Sequence, residues 1–479
     1  MPLQLKKSTP ESQGVKSEAI LKFIDRVEQS RTNEVEQDIH SLVMLRHGAV
    51  IAEGYWSPYE SEMPHMLFSL SKSFTSTAIG FAVDEGYISV DDFVVSYFKD
   101  EVPCPSENLA NMRIKHLLSM STGHIVDTTD FFFQREDNNW VKAFFDVPVE
   151  KEPGTHFLYN TGATYILSVI ITRVTGVKLI DYLRPRLFEP LGINNPTWET
   201  CPMGYNTGGF GLSITTKDIA KFGQLLLEKG FVDGKQLIAP SWVEEATKAH
   251  ISNGDDPNSD WSQGYGYQFW RCRNNSYRGD GAFGQYCIVI PERDVVIAMT
   301  GGLADLQKPL NIIWEELLPG TMDNELPESV SYEKLVNKLS TLSVMLPVGR
   351  NTSNVTESIQ NKCYKLDRND MGFESVSFLF KPDLITMTCE VSGKRQVAKI
   401  GIGKWLDNNL QLSEISDCVR IASTWQDEKT LLVHCRLVET PFAWLLRFSF
   451  VSDKTILMET KINLAFEGTK WVSVEGTRV

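Results

Sequence analysis

Two β-hairpin signatures lie far apart in this chain, with a mostly helical stretch between them. The first runs Ser41-Leu-Val-Met-Leu-Arg46, turns at His47-Gly48-Ala49 and returns as Val50-Ile-Ala-Glu53. The second runs Tyr286-Cys-Ile-Val-Ile290, turns at Pro291-Glu-Arg-Asp294 and returns as Val295-Val-Ile-Ala-Met299. Short apolar runs joined by turn-forming segments read as paired strands. Both hairpins fit into one sheet, and the helices between them then form a lobe of their own. The expectation is an α+β fold: an antiparallel β-sheet flanked by helices, with an inserted helical lobe over about residues 91–242. A cleft between two such lobes is a common place for a site.

Helical periodicity supports that layout. In residues 17–30, Ile20, Phe23, Ile24 and Val27 form one stripe. In residues 69–85, Leu70, Phe74, Ala78, Phe81 and Ala82 do the same, and Gly86 is placed to end the helix. Residues 114–121, 160–175, 217–229 and 306–318 are further helices. Pro319-Gly320 through Pro327 is rich in Pro, Gly and acid and reads as a linker. A short helix follows around 332–342. Beyond it the pattern turns to short strands at 373–380, 384–389, 431–437, 444–450 and 456–461, an all-β module, sandwich or barrel. The 479 residues exceed one ordinary domain. They divide into a body over 1–320, a linker and short helix over 321–345, and a C-terminal all-β domain over 346–479.

Lys and Arg number 47 against 61 Asp and Glu, a net charge of −14. With no basic block, the chain is a poor match for nucleic acid or an anionic membrane surface. No apolar run approaches the ~18 residues of a membrane span, and no secretory signal opens the sequence. The eight cysteines are scattered without a Cys-x-x-Cys pair, which suits free, mostly buried thiols in a reducing cytoplasm. The histidines show no metal-ligand spacing, so no metal site is expected.

Three segments have the residues for nucleophilic catalysis. In Phe68-Ser69-Leu70-Ser71-Lys72, Ser69 and Lys72 are three apart at a helix start. That spacing puts amine and hydroxyl on one face, beside free backbone N–H groups that favour an oxyanion. A serine needs an adjacent base, and a lysine serves only with its pKa brought down by burial or a neighbouring cation. The same spacing recurs at Ser331-Tyr-Glu-Lys334 on an exposed-looking helix, where it reads as chance. In Pro153-Gly-Thr-His-Phe-Leu-Tyr159-Asn160-Thr161, a tyrosine and an asparagine precede an apolar helix. A phenolate stabilised by cations at Tyr159 would relay the serine proton; the plainer reading is a core aromatic. In Arg278-Gly279-Asp280-Gly281-Ala282-Phe283-Gly284-Gln285, dense glycines let the backbone approach a ligand; the plainer reading is a turn before a strand.

Together these segments resemble the serine β-lactamase and penicillin-binding-protein-like superfamily, in its class C β-lactamase/esterase branch. Ser69-Leu-Ser-Lys72 matches the nucleophile motif, Tyr159-Asn160-Thr161 sits where the family has Tyr-x-Asn, and Gly281-Ala-Phe-Gly284-Gln285-Tyr286 resembles the stretch after its Lys-Thr-Gly strand. The framework stretches His116-Leu-Leu-Ser-Met-Ser-Thr-Gly123 and Gly209-Phe-Gly-Leu-Ser-Ile-Thr-Thr-Lys-Asp also fit. The likeness runs from about residue 8 to 320. It implies an acyl-enzyme on Ser69, with Lys72 and Tyr159 sharing the proton. It also implies an oxyanion site formed by the Ser69 N–H and one near Gln285, and no cofactor.

Two departures bear on substrate. Thr161 stands where the family usually has Asn, so either Asn160 next to it supplies the amide or that role is lost. Lys-Thr-Gly is missing; Arg278 is the cation nearest its place, more in keeping with a solvent-facing arginine than with a substitute. These features favour a cytoplasmic serine hydrolase of small esters or amides. It would resemble esterases and 6-aminohexanoate-dimer hydrolases more than antibiotic-resistance enzymes. The alternatives are a D-amino-acid-specific peptidase, a β-lactamase or an acyltransferase of the same superfamily, or a retired scaffold that binds a partner. In the β module, His434 and Cys435 point to opposite strand faces, and Trp405, Trp425, Trp444 and Trp471 read as core or interface aromatics. Covering the cleft, limiting substrate size and forming a homodimer are its three candidate roles.

Overall fold

The computed structural model describes residues 3–31, 37–410 and 417–479. Its first sheet is built from β1 (Lys6–Lys7), β2 (Gln37–Arg46), β3 (Ala49–Tyr55), β4 (Trp270–Arg271), β5 (Tyr277–Gly281), β6 (Gln285–Ile290) and β7 (Val295–Leu303). The spatial order is β1-β3-β2-β7-β6-β5-β4. The two hairpins therefore meet along β2 and β7, which pair antiparallel from Val295 opposite Arg46 to Leu303 opposite Gln37. The short edge strand β1 runs parallel to β3.

Alternation along these strands feeds two cores. Val43 and Leu45 of β2, Cys287 and Val289 of β6, and Val296 and Ala298 of β7 face one way. Leu42, Met44, Tyr286, Ile288, Ile297 and Met299 face the other. With side chains pointing to opposite faces at successive positions, a sheet whose central strands are apolar throughout must be covered on both sides. Phe222 of α4 (Thr216–Leu227) joins the first core, and Ile20, Phe23 and Ile24 of α1 (Ser17–Gln29) join the second. The helices α2 (Ser71–Asp84) and α3 (Thr161–Thr175) belong to the first core as well.

Some element boundaries differ from the sequence reading. Residues 68–70 form a single 3-10 turn, and the regular helix begins at Ser71. The expected glycine-rich turn before a strand is itself mostly strand. Tyr277-Arg-Gly-Asp-Gly281 pairs with Gln285–Val289 as β5, and only Ala282-Phe283-Gly284 forms the turn. After α5 (Val330–Ser340) the described residues form ten strands. They are β8 (Cys363–Leu366), β9 (Phe373–Lys381), β10 (Leu384–Val391), β11 (Lys394–Ile402), β12 (Leu406–Asn409), β13 (Cys418–Trp425), β14 (Thr430–Leu437), β15 (Ala443–Phe450), β16 (Thr455–Ile462) and β17 (Val472–Arg478). Their order is β11-β10-β9-β8-β17-β16-β15-β14-β13-β12, and a parallel pairing of Gly401 with Ala422 and Ile402 with Ser423 closes them into a barrel. Trp425 is in the barrel core, while Trp405 packs on the core beneath the first sheet.

The eight cysteines form no disulfide among the described residues, and five of them are buried. Among the described residues no single helix is long and apolar enough to cross a membrane.

The barrel is fastened to the body by a buried ion pair. Arg436 of β14 donates to Asp38 of β2 at 2.6 Å, and neither side chain reaches solvent to any extent. Beside it, the Met66 N–H donates to the Glu439 carbonyl at 2.8 Å. Removing one member of a buried pair strands the other charge. Asp38→Ala is therefore expected to cost about 3–5 kcal/mol of stability, read as a lowered urea midpoint. A loss below about 1 kcal/mol would show that the pair is solvated.

Candidate active site

The 3-10 turn Phe68–Leu70 delivers Ser69 to the start of α2. Phe68 holds φ at 48°, a left-handed conformation that a bulky residue adopts only where packing enforces it. One helical turn on, Lys72 is 1% exposed. Its Nζ lies 2.8 Å from the Ser69 Oγ, 2.8 Å from the Gly209 carbonyl and 3.2 Å from the Thr161 Oγ1. As an ammonium it donates to all three; as a free amine its lone pair is available to the Ser69 hydroxyl. Burial lowers its pKa to about 7, against an upward pull from Asp127 and Asp280.

Tyr159 completes this group. Lys72 Nζ sits 4.8 Å from the centre of its ring, and the ring stacks on Trp270 at 5.3 Å with an interplanar angle of 21°. Burial pushes its phenol well above the ordinary value, Asp280 adds to the rise, and a hydrogen bond with Ser69 opposes it. The resting group is thus a neutral phenol, not the phenolate read from the sequence.

Asn160 has a different place from the one expected. It is fully buried and caps α3, its Oδ1 accepting from Gly162 N at 3.1 Å, Thr128 N at 3.2 Å and Thr128 Oγ1 at 2.8 Å. The neighbouring Thr161, read as a departure, is the residue that meets Lys72. Asp127 secures the start of the same helix by accepting from Thr161 N at 3.1 Å.

Strand β5 closes the other side. Gly279 and Gly281 are needed not for a ligand but for the Ser69 turn itself. A Cβ on Gly279 would come within 2.5 Å of both Leu70 Cδ1 and Ser73 Oγ, and one on Gly281 would sit on the Leu67 carbonyl oxygen. Arg278 does not face solvent, as the sequence suggested. It is fully buried, stacked over Trp261 at 4.2 Å, and its Nη1 donates to the Asp260 carbonyl at 2.7 Å. Its Nε and Nη2 hold Asp280 at 2.8 and 2.7 Å. Burial raises the Asp280 carboxyl, with Arg278 opposing. Ala282, Phe283 and Gly284 form the hairpin turn, Phe283 at φ 64° and Gly284 at 95°. The buried Gln285 spends its amide on the Ala282 and Gly301 carbonyls at 3.1 and 2.9 Å.

The structure thus brings Ser69, Lys72 and Tyr159 together and adds Thr161, Gly209, Asp127 and Trp270, which the sequence reading did not single out as site residues. The apolar helix after Asn160 was a readable sign that this residue would be a cap. The Lys72 contacts to Gly209 and Thr161 had no local signal.

A family model described as Beta-lactamase matches residues 27–304, and the chain belongs to that family. It is accordingly a serine hydrolase of the β-lactamase and penicillin-binding-protein superfamily. The 6-aminohexanoate-dimer hydrolase of Paenarthrobacter ureafaciens is 25% identical over 318 residues, covering 62% of this chain and 80% of that protein. Penicillin-binding protein 4 of Amycolatopsis lactamdurans is 25% identical over 312 residues, covering 56% of this chain and 80% of its own. The octameric penicillin-binding protein homologue from Pyrococcus abyssi superposes with a TM-score of 0.51 at 15% identity, over 95% of this chain and 99% of that one. The fold is therefore β-lactamase-like with a C-terminal barrel.

The Lys72 environment is directly measurable. The Lys72 13Cε resonance, assigned by its loss in Lys72→Met, is expected to titrate with a midpoint near 7. A midpoint at the ordinary ~10.4 would mean that the amine is hydrated.

Proposed function

We infer that the chain hydrolyses small esters or amides through an acyl-enzyme on Ser69. The observation that carries this reading is the 2.8 Å approach of a desolvated lysine to the serine hydroxyl. Neutral Lys72 takes the Ser69 proton as Oγ attacks the acyl carbon, and Gly209 and Thr161 hold the amine in line. Tyr159, a neutral phenol in contact with Ser69, passes its proton to the leaving group as the Lys72 ammonium replaces it, and water then attacks the acyl-enzyme, releasing the acid and restoring the Ser69 hydroxyl. The Ser69 N–H and a backbone N–H near Gln285 would hold the oxyanion.

Arg278, the cation nearest the missing Lys-Thr-Gly, is buried and paired with Asp280; from that strand Lys72 feels Asp280, and Tyr159 feels Asp280 more than Arg278. A β-lactam carboxylate would meet an acid there, which favours uncharged esters and amides over penicillins.

In this reading the hydrolase body spans 1–320, and its inserted helical segment, about 91–242, supplies the wall that carries Tyr159 and Thr161. Residues 321–345 lead to the barrel over 346–479. Thiols not joined in disulfides suit the cytoplasm.

Fluorophosphonate labelling with peptide mapping is expected to place the adduct on Ser69. On a panel of p-nitrophenyl esters, D-aminoacyl amides and nitrocefin, turnover of esters should exceed that of nitrocefin. Ser69→Ala should lose roughly 10³-fold or more, and Lys72→Ala roughly 10²–10⁴-fold. Because the base must be unprotonated, kcat/KM should rise with pH through about 7. An adduct elsewhere, or nitrocefin turnover matching the esters, contradicts the assignment.

A further inference from the structure

The wall beside the Ser69 turn is not built by the hydrolase body alone. Phe68, immediately before Ser69, stands edge-to-face with Phe283 at 5.5 Å. Phe442, from the turn between β14 and β15, lies 6.1 Å from Phe68 and 5.6 Å from Phe283. Phe466, between β16 and β17, lies 5.0 Å from Phe283 and 6.4 Å from Phe68. Two of the four rings therefore come from the barrel.

Those two barrel segments are tied to each other and to the body. Asn463 is 1% exposed; its Oδ1 accepts from Ala443 N at 2.7 Å and its Nδ2 donates to the Pro441 carbonyl at 3.1 Å. The Pro441 carbonyl packs so close to Gly302 that a Cβ there would be 2.7 Å away. The Glu439 carbonyl takes the N–H of Met66, three residues before Ser69. The aromatic wall and the serine turn are thus held in one frame.

The cluster opens outward. Phe283 is 8% exposed and Phe466 is 78% exposed. A lone exposed phenylalanine needs no explanation, but this one continues a packed row of rings that starts beside the serine. One open ring is far too small for a stable protein interface, which needs roughly 800 Å² per partner. It is large enough to cover an acyl chain.

We propose that Phe442 and Phe466 determine specificity. With Phe68 and Phe283 they form an apolar subsite that takes the hydrocarbon or aromatic portion of an uncharged ester or amide. This rests on the reading of Ser69 as the acylated residue. Each methylene laid on such a wall is worth roughly fourfold in transition-state binding while it lasts. The preference rises with acyl length and levels off where the rings end.

The test uses the full chain and p-nitrophenyl acetate, butyrate and octanoate. In the wild type, kcat/KM is expected to rise with acyl length. Phe466→Ala, at an exposed position where folding is not at stake, should lower the octanoate-to-acetate ratio by about tenfold. Phe442→Ala should lower it in the same direction, and Phe466→Leu should recover most of the loss. The proposal fails if Phe466→Ala keeps the wild-type ratio, or if all three esters fall by the same factor. It also fails if the ratio tracks protein concentration together with a dimer-to-monomer shift in sedimentation, which would make the patch a self-association surface. Labelling of wild-type Ser69 by fluorophosphonate separates the two levels. Without an adduct the hydrolase reading itself falls, whereas an adduct with a flat acyl-length profile removes only the barrel's role.

Discussion

The chemistry available to this protein depends on keeping the Lys72 amine dry. A shift of its pKa to about 7 corresponds to roughly 5 kcal/mol of disfavoured charge relative to water. The surrounding structure maintains that condition from several directions. The first turns of α2 are buried at Ser71, Lys72, Ser73, Thr75 and Ser76. Two side-chain-free positions in β5 allow the sheet to press against the turn. The Tyr159 ring, backed by Trp270, covers the amine. Asp127 and Asp280 act in the opposite sense, and desolvation outweighs them. The amine is left near the balance point between ammonium and base, which is where a general base is most useful.

That dry pocket also explains the division of labour between Lys72 and Tyr159. The same burial that makes a lysine more acidic makes a tyrosine less so, because in each case the charged form is disfavoured. In the proposed reading, a lysine that rests partly as the free amine can take a proton and a phenol that rests protonated can give one, a complementary pair around one hydroxyl. The left-handed Phe68 is part of the same arrangement. Its unfavourable backbone aims Ser69, and the ring contact from Phe283 helps to hold it there.

How much of this was legible in the sequence follows from the range of each interaction. Ser69 and Lys72 lie within one helical turn, so spacing alone places them together. The two long hairpins were readable because their strands are apolar and their turns short. β5 was not, because Tyr-Arg-Gly-Asp-Gly has poor strand propensity and pairs only because β6 lies beside it. Barrel strands such as β11, with Lys394, Arg395 and Lys399, were missed for the same reason. Asn160 was assigned by likeness to a motif, while its position ahead of an apolar helix pointed to a cap. The burial of Arg278 depends on Trp261 and Asp260 from a loop well upstream of it, and the meeting of Phe68 with Phe442 and Phe466 depends on the docking of the barrel. Neither leaves a local trace.

The pairing of Arg278 with Asp280 links charge to specificity. Two residues apart on one strand, they share a face, and the guanidinium is further held by Trp261 and the Asp260 carbonyl. An arginine so engaged cannot turn toward a substrate without giving up a buried ion pair and leaving the carboxylate behind. The corner that would offer a cation to an acidic ligand instead offers an acid whose charge is largely compensated from behind. In the proposed reading, the row of phenylalanines that begins at Phe283, in the turn just after Asp280, adds a surface without charge. A ligand that suits both is then neutral next to Asp280 and apolar next to Phe466.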